Sequence, residues 1–340
     1  MTVSRQTVRR IMTIAVVGIV WFAKPAIQAG QRSGPTIATE ADFQRAMKDL
    51  SNWGRWGEKD ELGAANLITP AKRKQALALA REGVTVSLAH DVPQEKAADT
   101  PAILERSLVT VSPAVTLDRY QYDGTYHGVS HSHLDAVDCH IMLDGRGYNG
   151  VSMDDIKAVG GCPRGSINAL KDGVVTRGVL LDATLLPGKG TSEGWLEPGT
   201  AVHRADIEAL EKIERVTIAS GDVLLLYTGR WKRRAAKGPW PTATGFAGYH
   251  PDVAYFLKER GVSFIGSDGP NDVSPSGLPR VVSLHTLALV AMGVSIFDNL
   301  DFERAAEQAK RRNRYEFLFM AAPLRIEKGT GSPLNPLAVF

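Results

Sequence analysis

The chain has 340 residues, with 40 Lys and Arg against 37 Asp and Glu, and part of its formal charge of +3 comes from Arg5, Arg9 and Arg10 at the start. A hydrophobic fraction of 44% is that of a globular protein with a sizeable core, and the near-neutral remainder gives no basic footprint for nucleic acid. No Ser/Gly-rich linker separates two halves, so residues 30–340 read as a single domain.

The basic start is followed by an apolar run from Ile11 to Ala23, which Lys24 and Pro25 end, and Ala29 offers a small residue before Gly30. That pattern predicts a signal peptide over residues 1–29, since the run falls short of the roughly 20 residues of a membrane span. The expected mature protein is bacterial and exported, periplasmic or secreted, with no membrane attachment after cleavage. Cys139 and Cys162 either pair in that oxidising compartment or remain separate thiols.

A first helix is expected from Thr39 to Leu50, followed by a glycine-punctuated loop carrying Trp53 and Trp56. Thr69 as N-cap and Pro70 at the first helical position predict a helix over 71–82, stopped by Gly83. Residues 84–88 alternate and predict a strand, and 89–106 read as a long loop over the site. Further strands are expected at 177–182, 221–227, 262–266, 294–297 and 315–321, with helices at 202–214, 251–260, 283–292 and 301–312. The strand ending at Tyr227 delivers Thr228, Arg230 and Trp231 to a position where functional loops tend to sit. Strands and helices alternate without the strict rhythm of a doubly wound sheet, so the expected class is mixed α/β (α+β).

Residues 126–140 hold four of the eight histidines, His127, His131, His133 and His140, with Asp135 and Asp138 among them. In an extended backbone His131, His133 and Asp135 project from one face, and two imidazoles with a carboxylate can share Zn²⁺ or Mn²⁺. His285, far downstream in an apolar run, and Asp298 can return to the same ion. Two other motifs carry little. The G-x-G-x-x-G at 145–150 lies among the turn dipeptides Asp144-Gly145 and Asn149-Gly150 instead of joining a strand to a helix. The G-x-S-x-G at 190–194 is bracketed by Pro187-Gly188 and Pro198-Gly199, which makes Ser192 a loop residue rather than a nucleophile.

Several blocks in order give the chain a familiar outline. They are Trp56-Gly, Asp60-Glu-Leu-Gly-Ala, Asn66-Leu-Ile-Thr-Pro70, His133-x-Asp135-Ala, Gly221-Asp-Val-Leu-Leu, Gly266-Ser-Asp268, Leu284-His285 and the glycine- and proline-rich end to Pro336. The sequence resembles the cyclase / kynurenine-formamidase-like family of metal-dependent hydrolases, in its longer bacterial branch. That resemblance implies a swivelling β/β/α fold with a mixed sheet and the signature H-x-G-T-H-x-D-x-P-x-H. His133 and Asp135 fall on the signature's second His and its Asp, both metal ligands. His285 falls on the downstream ligand, and Asp298 on a position usually Glu or Gln.

The chain departs from the signature twice. Val129 stands where the first His belongs, so His131 or His127 must substitute, and His131 is favoured as the nearer. Cys139 stands where the proton-shuttling His belongs, and His140 follows one later, as if Asp138 were inserted. The resemblance then implies hydrolysis of an amide C–N bond in a small cyclic or aromatic substrate. One or two divalent ions would be held by His131, His133, Asp135, His285 and Asp298, with His140 as acid–base and Trp56 and Trp231 against the substrate. A homodimer or homotetramer is expected. Lactone or ester hydrolysis, cyclisation, and a non-catalytic metal-binding role are the alternatives.

Overall fold

Thr39 and Thr69 start the first two helices as their side chains dictate. Thr39 accepts from the Asp42 amide in a reciprocal capping box and opens α1 (Glu40–Asp49). Thr69 accepts from the Lys72 amide and opens α2 (Pro70–Leu77). The structure, a computed structural model, describes residues 35–279 and 282–340, so the expected signal segment at 1–29 lies outside the described residues. α2 ends five residues before the expected Glu82 because tertiary partners claim the next backbone groups: Arg314 donates to Leu79 O and the Glu82 amide donates to Phe340 O.

β1 (Thr85–Ser87) leads into a loop and then into a hairpin that the sequence reading left without elements, β2 (Leu104–Ser112) and β3 (Val115–Tyr122). Both hairpin strands are exposed along nearly their whole length. β4 is only three residues long (His133–Asp135), and a capping box at Ser152 opens α3 (Met153–Val159). There follow β5 (Val174–Asp182), β6 (Ala201–Val202), α4 (Arg204–Ile213), β7 (Val223–Tyr227), α5 (Arg230–Lys237), β8 (Gly248–Tyr249), α6 (Val253–Arg260) and β9 (Phe264–Ser267). The last third holds α7 (Ser283–His285) running into a wide π-type segment (Thr286–Met292), β10 (Ser295–Asp298), α8 (Glu303–Arg312), β11 (Glu316–Ala321), β12 (Gly331–Pro333) and β13 (Leu337–Val339).

Among the described residues, nine strands form one mixed sheet in the order β1-β13-β11-β5-β7-β9-β10-β4-β12. Its centre, β5-β7-β9-β10, is parallel, and the flanking strands are antiparallel. Parallel strands covered on both faces read as continuous apolar runs, which is why Val223-Leu-Leu-Leu-Tyr227 is buried at every position. The fold is therefore mixed α+β, as expected. All named elements belong to one compact unit, and among the described residues no helix is long and apolar enough to cross a membrane.

Candidate active site

Antiparallel pairing of β4 with β10 sets His133 directly opposite Asp298 and Asp135 opposite Ile296. Directly paired residues share a face, and so do residues two apart on one strand, so His133, Asp135 and Asp298 project together. Leu134 between them is fully buried. His285, on α7, meets them from the side. Its Nε2 lies 3.1 Å from Asp298 Oδ2 and 3.6 Å from Asp135 Oδ2. His133 Nε2 lies 3.3 Å from Asp135 Oδ1 and 3.7 Å from Asp298 Oδ2.

His127 joins this group, and His131 does not. The extended backbone on which the His131 expectation rested is absent: residues 127–130 form a turn, and the strand begins at His133. His127 Nδ1 comes to 2.9 Å from Asp135 Oδ1, while its Nε2 bonds Thr330 Oγ1 at 2.9 Å. The ring lies over β12, where a side chain at Gly331 would put a Cβ within 2.8 Å of it, so the position must be glycine. His131 instead lines a cavity of about 370 Å³ with His90, Asp91, Val92, Tyr122 and Leu334, its ring edge-on to Tyr122. The turn is pinned from below. Asn299 donates to Gly128 O and His131 O, and the buried Arg230 reaches Val129 O and Asn299 Oδ1.

His140 reaches the cluster despite the inserted residue. A turn over 137–139 brings its Nε2 to 3.5 Å from Asp135 Oδ2 and stacks its ring on His127. Asp138, the extra residue, is turned into a tight buried niche against Gly165, where a Cβ would stand 2.2 Å from the carboxyl carbon. Neither Asp138 oxygen has a hydrogen-bond partner, and burial pushes its pKa up to about 8. Cys139 and Cys162 are joined in a disulfide, which ties this turn to the segment after α3.

Hydrogen bonds fix which ring nitrogens face inward. His133 Nδ1 contacts His131 O at 2.8 Å and must donate, because a carbonyl only accepts; its Nε2 in the neutral ring therefore presents a lone pair. His285 Nδ1 bonds the buried carboxylate of Asp272, which also accepts from the Leu284 and His285 amides. In the neutral form of each ring the Nε2 lone pair thus points at carboxylate oxygens. Asp135 is wholly buried, yet neither of its oxygens has a hydrogen-bond partner, and neither has His127 Nδ1 nor His133 Nε2. Burial opposes charge on His285, but Asp298 and Asp272 outweigh it and hold its pKa well above the ordinary value, so without an ion the ring keeps a proton on Nε2 for Asp298, in the place a bound cation would take. Burial likewise works against ionised Asp135, and His140 and His133 overcome it to hold that carboxyl well below its usual range. Acceptors facing acceptors around a buried anion call for a cation between them. Ligand atoms from His127, His133 and Asp135, and from Asp135, His285 and Asp298, lie within 4.8 Å of one another in each trio, and Asp135 belongs to both. The residues present fit a divalent ion.

The expected aromatic contacts lie elsewhere. Trp231 is buried, donates to Leu300 O and stacks on His90 at 3.6 Å, while Trp56 is half-buried beneath the Arg55 guanidinium. Trp231 is thereby held within the framework. The loop they border is equally structural: Asp268 at the end of β9 accepts from the amides of Thr228, Gly229 and Arg230 and so sets the start of α5. The rings that do stand at the cluster are Tyr126, 4.5 Å from His127 and 6.0 Å from His133 between centroids, and Tyr122 beyond it. Sequence reasoning missed Tyr126 and Asp272. Tyr126 opens the histidine stretch, which was a signal within reach, whereas nothing local marks Asp272.

This fold and this His/Asp cluster define an α+β protein with a candidate metal centre at the junction of β4, β10 and α7. The chain belongs to the putative cyclase family, which it matches over residues 83–271. That match takes in the 127–140 stretch and stops just before Asp272, His285 and Asp298. Among solved structures, one described as a novel cyclase is 26% identical and has a TM-score of 0.73, covering 86% of this chain and 99% of its own. An isatin hydrolase bound to the product analogue thioisatinate is 19% identical with a TM-score of 0.54, over 80% of this chain and 99% of its own. Isatin hydrolase A from Ralstonia solanacearum is 19% identical with a TM-score of 0.50, over 78% and 95%. No curated protein matches the chain.

Proposed function

We propose that the protein is a metal-dependent hydrolase that cleaves the amide C–N bond of a small cyclic or aromatic substrate. The observation that carries this reading is the inward convergence of the His133 and His285 Nε2 atoms on Asp135 and Asp298, beside His140. His127, His133, Asp135, His285 and Asp298 would hold one or two divalent ions, and imidazole with carboxylate suits Zn²⁺ or Mn²⁺. A bound ion supplies Lewis acidity, which brings the pKa of water towards neutrality and polarises a carbonyl.

The chain's own groups do the rest. Burial pushes His140 down to about 4, against the opposing pull of Asp135, so at neutral pH the ring is an uncharged base. Its Nε2 takes a proton from the attacking water as the C–O bond forms, then returns it to the nitrogen as the C–N bond breaks. Tyr126 and Tyr122 give a flat substrate an aromatic wall. Likeness in fold to an isatin hydrolase supports a cyclic amide as the substrate class.

Export to an oxidising compartment is part of the same reading, supported by the Cys139–Cys162 disulfide. A homo-oligomer is supported by the β2–β3 hairpin, which exposes Leu108, Val111, Leu117 and Tyr120, each more than half accessible. The test of the enzymatic reading is turnover of isatin and of N-formylated aromatic amines by metal-replete and chelator-stripped protein. Hydrolysis lost on stripping and restored by Zn²⁺ or Mn²⁺ is expected, and hydrolysis indifferent to chelation would overturn it.

A further inference from the structure

A second His/Asp cluster is built by a separate two-stranded pairing. β6 and β8 pair in parallel, with Ala201 opposite Gly248 and Val202 opposite Tyr249. Each strand then runs into a residue preceding a helix, His203 before α4 and His250 before α6. Parallel register therefore sets the two imidazoles side by side, with centroids 4.2 Å apart and planes 34° from parallel. Pro251 turns the chain so that Asp252 swings its carboxylate across both. Asp252 Oδ2 is 2.7 Å from His203 Nδ1 and 3.1 Å from His250 Nδ1.

The proton at His250 Nδ1 has no settled place. A long 3.3 Å bond from the Asp252 amide needs that nitrogen's lone pair, whereas the approach to Oδ2 needs its proton. A cation shared by the two Nδ1 atoms and Oδ2 uses both lone pairs and the carboxylate charge at once. The neighbouring charges are already committed: Asp206 accepts from the His203 amide and Lys189, and Arg204 is paired with Glu208 and Glu259. The N-termini of α4 and α6 disfavour a cation, but they equally favour the ionised Asp252 that offsets them. His203 is 43% exposed in its side chain, so the site opens to solvent.

We propose that His203, His250 and Asp252 form a second, solvent-open site for a borderline divalent transition ion such as Zn²⁺, with water completing the shell. It tethers the starts of α4 and α6 and takes no part in the chemistry at Asp135.

The test is equilibrium dialysis of chelator-stripped full-length protein against Zn²⁺, for wild type, Asp252→Asn, His250→Gln and Asp135→Ala. Asp252→Asn keeps the size and hydrogen-bonding oxygen of the side chain while removing its charge. Wild type is expected to bind one ion per chain more than Asp252→Asn or His250→Gln, or to bind that ion at least about tenfold more tightly, given that even outer-shell losses cost 10–100-fold. Asp135→Ala is expected to keep this ion. Equal stoichiometry and affinity in wild type and both cluster variants, each folded by circular dichroism, would overturn the proposal. Retention of every ion by Asp135→Ala would instead count against the metal centre at Asp135, which separates the two readings.

Discussion

The imidazoles of His127 and His140 lie face to face, with centroids 3.9 Å apart and planes 12° from parallel. Two rings so close cannot both carry charge cheaply, and His127 adds to the burial that holds His140 neutral. The pair divides the labour: His127 turns its Nδ1 to Asp135 Oδ1, and His140 turns its Nε2 to Asp135 Oδ2. His140→Ala should therefore leave metal content intact and lower kcat by about 10²–10⁴-fold, the usual weight of general acid–base catalysis. Near-normal turnover with full metal occupancy would move the proton transfer to another group.

His127→Ala should weaken metal binding more than His131→Ala. The turn at 127–130 directs the first ring to Asp135 and leaves the second in the cavity wall beside Tyr122. Burial, with His133 adding, pushes His131 down to about 4, so it sits there as a neutral group. Metal titration of the two variants decides, and the reverse order would contradict the placement.

Asp272 holds His285 in the tautomer that aims Nε2 at Asp298 and also accepts from two amides at the start of α7. Asp272→Asn should cost about 10–100-fold in metal affinity without removing a ligand. A calorimetric titration showing unchanged affinity would reduce Asp272 to a helix-start residue.

Glu214 offers a pH test away from the cluster. It is buried beside Asp182, accepts from the Asp182 amide at 2.8 Å, and leaves its second oxygen without a partner. Burial, aided by the Asp182 carboxylate, raises its pKa to about 8. The folded chain then holds a proton that the unfolded chain releases above about pH 4.3, so this group's contribution to stability falls as pH rises to about 8 and is level beyond. Glu214→Gln keeps the hydrogen bond and removes the titration. Its Tm should gain on the wild type between pH 5 and 8, by thermal melts in matched buffers; a constant difference would show that Glu214 is ionised throughout.

The legible parts of the sequence were those with local causes. Thr39, Thr69 and Pro70 marked helix starts, and the apolar run at 223–227 announced a strand covered on both sides. His133, Asp135 and His140 were readable from their density in one stretch. The choice between His127 and His131 was not, because it depends on a turn held by Asn299 and Arg230, residues 100 and more positions away. The setting of Trp231 was not legible for a related reason: an indole at a strand end looks the same whether it faces a substrate or stacks on His90. The β2–β3 hairpin did leave a mark, Val109-Thr-Val111 and Val115-Thr-Leu117 alternating around Ser112-Pro113-Ala114, but with both faces exposed no core gave that alternation a side.

Asp135 belongs to both ligand trios, so the account stands or falls on its carboxylate. The direct measurement is elemental analysis of purified wild type and Asp135→Ala, each with its rate of isatin hydrolysis. The wild type should carry tightly bound Zn or Mn and turn over, and Asp135→Ala should lose the cluster's share of the metal and most of the activity while retaining the fold and any ion at Asp252. Full occupancy at the cluster in a folded Asp135→Ala protein, or a wild type that takes up no divalent ion there, would contradict the account.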